Sequence, residues 1–177
     1  FNNNAIEALA KRIGVYGDKG GSHFYNLLSA LQKSVRGSDV NAALYYLAHL
    51  LESGDLIAVC RRLLVMAYED IGLANPAVGA HVQAATEAAV KLGMPEARIT
   101  LAQATTYLAT APKSNRAYLA VEQAMADIQA GAVQPVPEHL KNVHVKAIGK
   151  EAAEGYIYPH DFQDAWVQQN YLRIPKQ

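Results

Sequence analysis

Six times between Ser22 and Gly131, apolar residues recur every three or four positions and are then cut off by Gly, Pro, Ser or Asn. A chain patterned this way hides its apolar stripes by packing helices against one another. Phe24, Leu27, Leu28, Leu31 and Val35 form the first stripe, with Tyr25, Lys33 and Arg36 opposite, Ser22 as the expected N-cap and Gly37 as the stop. Val40, Ala43, Leu44, Leu47 and Leu51 form the second, after so short a connection that the two helices are expected to run antiparallel. The third is nearly unbroken, from Leu56 through Val59, Cys60, Leu63, Leu64, Ala67 and Tyr68 to Ile71. Val65 and Met66 make even its other side apolar, which predicts a central position. Asn75-Pro76 opens an alanine-rich helix ending near Leu92, Gly93-Met94-Pro95 separates it from another ending near Ala111, and Pro112 to Asn115 opens a sixth that ends at Gly131.

From Val133 the pattern changes: Pro135, Pro137, Gly149, Gly155, Pro159 and Pro175 break any long period while Tyr156, Tyr158, Phe162, Trp166 and Tyr171 accumulate. Rings in that number predict an arm that packs on the helical body or on a neighbouring subunit, with Tyr158 and Trp166 as candidate contacts. No alternation of period two marks a strand. The expected fold is therefore all-α, a multi-helix bundle with an irregular aromatic C-terminal arm, divided into a linker over residues 1–21, a helical domain over 22–132 and the arm over 133–177.

Composition narrows the function classes. With 51% hydrophobic and 18% charged residues the chain can bury a real core. Sixteen Lys and Arg against sixteen Asp and Glu leave no overall field to draw it to nucleic acid, so a DNA contact would have to come from a local patch. The single Cys60 rules out an intramolecular disulfide and fits a core position. No apolar run reaches the roughly 18 residues of a membrane span, and the residues from Phe1 on lack the charged and apolar regions expected of a signal peptide. The start Phe1-Asn2-Asn3-Asn4, without an initiator Met, is that expected of a portion of a longer polypeptide.

Catalytic patterns are weak. Gly14 to Ser22 is glycine-rich with one lysine, but Lys19 is followed by two glycines where a phosphate loop needs Lys-Ser/Thr, so a linker is the expectation. Six histidines show no metal-ligand spacing and no nucleophile elbow occurs, so neither a metal nor a catalytic residue is assigned. Glu69 and Asp70 are more telling, because they close a helix where its dipole disfavours negative charge. Something must compensate them, as an ion-pair lock between helices or a subunit contact. Arg61, Arg62, Lys113 and Arg116 are the candidate partners. Lys33 and Arg36 on one helix face, with Lys113 and Arg116 at the start of the sixth helix, make the candidate DNA-contacting set.

Five stretches carry a family likeness: Lys33 to Asp39, Asp39 to Ala48, Ala67 to Ala74, Ala111 to Asn115, and Gly155 to Asp161. Together and in this order they resemble the C-terminal region of the replication-associated recombination protein A (MgsA/RarA) family, relatives of the Werner-helicase-interacting protein. The likeness runs from about Lys11 to the end, with departures in the Asp18–Tyr25 run and after Asp161. It implies a helical domain comparable to a clamp-loader collar that joins subunits into a tetramer. It also implies that the ATPase and lid domains of an AAA+ protein of the clamp-loader superfamily precede Phe1 and hold ATP and Mg. The full protein would act on DNA at stalled forks, in the cytoplasm on the nucleoid, and would contact single-stranded-DNA-binding protein. The rival expectations are a DNA-binding module using basic helix faces and a helical enzyme with an unrecognised site.

Overall fold

The computed structural model describes residues 21–141 and 155–172. The expected linker over 1–21, except Gly21, lies outside these residues, as do parts of the expected arm. Among the described residues there are six α-helices and no strand, as the periodicity predicts. The chain divides into two units, one ending at Glu122 and one beginning at Gln123.

In the first unit, α1 (Ser22–Arg36) buries Phe24, Leu27, Leu28, Leu31 and Val35, the stripe read from the sequence. Gly21 rather than Ser22 precedes its first turn, without a side-chain cap, and the Gly37 N–H closes the last turn on the Lys33 carbonyl at 2.8 Å. Asp39 then caps α2 (Val40–Glu52) and Asp55 caps α3 (Leu56–Met66), each carboxylate accepting a backbone N–H at 2.9 Å, from Ala42 and Ala58 respectively. These caps end one helix and start the next within three residues, so α2 folds back against α1.

After Met66 the third stripe departs from expectation. Residues Ala67–Ile71 form a π-turn, and Gly72 ends it in the left-handed region with φ 47°. A π-turn widens the helix by one residue and so rotates the later side chains about its axis. Tyr68, read as part of the buried stripe, is 64% exposed, and Asp70 is 4% exposed. Val65, expected inside, also stays at the surface.

Two alanine-rich helices complete the body. In α4 (Ala77–Leu92) Ala85 and Ala89 are buried with Val78, Gly79 and Val82, and in α5 (Ala97–Thr110) Ala97, Leu101, Ala104, Leu108 and Ala109 are fully covered. Small side chains let these two backbones pack closely, and α5 also meets α1, α2 and α3. The last helix, α6 (Arg116–Gln129), is unlike the rest, with no buried residue along its length.

The second unit, beyond the end of α6, contains three single-turn 3-10 segments, at Glu138–Leu140, Pro159–Asp161 and Gln163–Ala165. Side chains stand in for secondary structure here: Gln169 accepts from the Ile157 N–H and donates to its carbonyl, and His139 Nε2 lies 2.8 Å from the Asn170 carbonyl. Tyr158, Phe162, Trp166 and Tyr171 all remain exposed.

Candidate functional site

Two features of the first unit remain after the core is accounted for, a polar node and an apolar groove. The node centres on Asp70. A carboxylate this deep costs several kcal/mol unless its oxygens are matched. Both are matched: Arg36 Nε donates to one at 2.5 Å and Gln32 Nε2 to the other at 3.3 Å. Arg36 reaches on to Glu69 at 3.1 Å, and Gln32 accepts from Arg62 at 2.6 Å. The hydrogen bond that Arg36 donates to Asp70 holds its guanidinium above its ordinary pKa. The Asp70 backbone carbonyl accepts from the Ser114 N–H at 2.9 Å, so the node also fixes the segment from which α6 starts. Gly72 is required there, since a Cβ would stand 2.8 Å from the Ser114 carbonyl oxygen.

Compensation of Glu69 and Asp70 thus comes from Arg36, which the sequence pattern assigns to a DNA-contacting patch. Arg62 joins the same node through Gln32, whereas Arg61, Lys33 and Arg116 take no part in these bonds. Arg61 and Arg62 line a cleft of about 430 Å³ with Phe24, Tyr25 and Asp55. Lys113 is committed elsewhere: its three protons go to the Ala109 carbonyl, the Ala111 carbonyl and Ser38 Oγ at 3.0, 2.6 and 3.0 Å. It closes the C-terminal end of α5, where a cation is favoured by the helix dipole, and burial lowers its pKa. Of the four residues expected to contact DNA, Lys33 and Arg116 are therefore the two whose charges these internal contacts leave to solvent.

Gln32 is the member that sequence reasoning missed. Its signal was present: a polar residue one turn beyond Leu28 and just before Val35, on the buried side of α1. A polar group on an apolar stripe needs a buried partner.

The groove runs between α3 with its π-turn and the first turns of α6. Leu64, Val65, Tyr68, Ala117, Tyr118 and Val121 line a depression of about 520 Å³ with Glu69 at its edge. Four of these side chains, Val65, Tyr68, Tyr118 and Val121, are exposed apolar groups. Burial also pushes up the pKa of the Cys60 thiol, which behaves as packing in the core. Among the described residues no three His, Cys, Asp or Glu side chains gather as a metal site, and no helix is long and apolar enough to cross a membrane.

A family model described as MgsA AAA+ ATPase C terminal matches residues 37–177. Replication-associated recombination protein A of Bacillus subtilis (strain 168) is 54% identical over 160 residues, covering 89% of this chain and 38% of that protein. The protein of the same name from Escherichia coli (strain K12) is 43% identical over 153 residues, 85% of this chain and 34% of its own length. ATPase WRNIP1 of Dictyostelium discoideum is 41% identical over 172 residues, 95% of this chain and 20% of its own length. The chain spans less than two fifths of each of these relatives.

Proposed function

Because the chain belongs to the MgsA AAA+ ATPase C-terminal family, we propose that it is the module through which an AAA+ DNA-dependent ATPase assembles into a tetramer. The whole protein would act in replication-fork maintenance, recombination and repair. In this reading ATP and Mg are held by domains outside the chain, and no catalytic step falls to the helices described here. DNA is contacted by the full assembly, with single-stranded-DNA-binding protein as a further partner, in the cytoplasm on the nucleoid. The names of the relatives support the setting in replication-associated recombination.

One observation carries the assembly role. Helix α6 has no buried residue, yet it presents Tyr118, Leu119, Val121, Met125 and Ile128, each at least 40% exposed. A 14-residue helix is marginal alone in water and takes most of its stability from packing one face. A second copy supplies that packing. Joining subunits would then raise the effective concentration of weak DNA-binding and ATP-binding units around one site.

Sedimentation velocity on this 19.2 kDa chain at micromolar concentration tests the proposal. A species with the mass of four copies is expected, and a single-copy mass at every concentration overturns it.

A further inference from the structure

The assembly surface can be located. We propose that it is one self-complementary face, in which α6 of a second copy lies in the groove between α3 and α6 of the first, about a twofold axis. This rests on the assembly reading above and names its contact.

Spacing is the first support. Tyr118, Val121, Met125 and Ile128 succeed one another at intervals of three, four and three residues. That is the period of a helix seam that receives another helix, and all four side chains are exposed. Of the intervening polar residues, Gln123 and Asp127 fall on the other side of α6 and bond to each other at 2.8 Å, while the exposed Glu122 flanks the seam, where its carboxylate stays in water at the rim.

The groove offers the matching shape. Its walls are Leu64, Val65 and Tyr68 on one side and Tyr118 and Val121 on the other, so α6 is both a wall of one groove and the helix that would fill its mate. A surface that contains its own complement closes by a twofold rotation, each residue making the contact its counterpart receives. Glu69, the acid at the edge, is already paired with Arg36 and presents no loose charge to the incoming helix.

Area is adequate. Val65, Tyr68, Tyr118, Val121, Met125 and Ile128 are 40–64% exposed. At on the order of 100 Å² each they provide roughly 600 Å² per copy, most of the ~800 Å² per partner that a stable interface uses. A twofold pair of this kind is half of a tetramer, and a second contact completes it.

Two measurements test the face. Val121→Asp would place a carboxylate on both sides of the axis and is expected to weaken pairing by roughly a hundredfold. Val90→Asp, on an exposed site of α4, should leave the mass unchanged, and unaltered helical circular dichroism shows that both variants fold. In a Cys60→Ala background, a mixture of Val65→Cys and Met125→Cys chains should oxidise to a covalent heterodimer in greater yield than either chain alone. An assembled parent chain with Val121→Asp equally assembled and no preferential cross-link overturns the face while leaving the assembly role standing. A parent chain that is monomeric throughout overturns both. An assembly disrupted by Val121→Asp without the cross-link also overturns the groove pairing, since it leaves α6 in contact with something other than Val65.

Discussion

Asp70 shows how much one buried carboxylate organises. It ties α1 to the π-turn through Gln32 and Arg36, and its backbone carbonyl holds Ser114. Replacing Asp70 with Ala strands the Gln32 amide and frees a guanidinium that is itself half exposed, so the loss should be about 2 kcal/mol, below that of a fully buried pair. Urea unfolding would check this; an unchanged midpoint would mean the node contributes nothing. Two glycines give a contrast at the same scale. Gly72→Ala places a Cβ against the Ser114 carbonyl at positive φ, neither of which can relax, and should cost about 2 kcal/mol or more. Gly79→Ala meets only the Tyr68 ring, which is exposed and can swing aside, so the gain in helix propensity, up to ~1 kcal/mol, should hold stability at or above that of the parent. Thermal melts of the pair would separate them, and equal losses would contradict the argument. The need for a partner at Asp70 was legible in the sequence because the acid sits at a helix end. Arg36 as that partner was not, since 34 residues separate them and only folding brings them together.

Among the elements, the six helices were legible from their period, and their bounds fell within a few residues of the expected punctuation. The π-turn was not legible. Its residues continue an apolar stripe, and the extra residue in the turn is decided by what the turn must reach, Arg36 and Ser114, rather than by local propensity. Helix α5 makes the cost of a tightly packed element measurable. Thr105 is fully buried among Leu101, Leu108 and the alanines, and among the described residues its hydroxyl finds no partner. The near-isosteric Thr105→Val should therefore stabilise the chain by about 1 kcal/mol, by removing an unmatched polar group. A loss of stability in calorimetry would show instead that the hydroxyl is bonded in solution.

For the whole molecule, the burial pattern among the described residues leaves Tyr118, Leu119, Val121, Met125 and Ile128 of α6 exposed. If assembly covers α6, the folded state is favoured by mass action, and the thermal midpoint should rise with chain concentration. Calorimetry at concentrations tenfold apart or more is the check; an invariant midpoint would show that folding and association are uncoupled. The expected arm is a different case, because Tyr158 and Trp166 lie in the second unit and are exposed. The amino-acid order determined that this chain is helical, to within a few residues where its helices begin and end, and which side of the first two turns inward, because period, caps and breakers act within a few residues. Tertiary structure decided which charges are spent inside the protein and which apolar side chains stay outside. Those outcomes depend on distances between residues remote in sequence, to which no local pattern is sensitive.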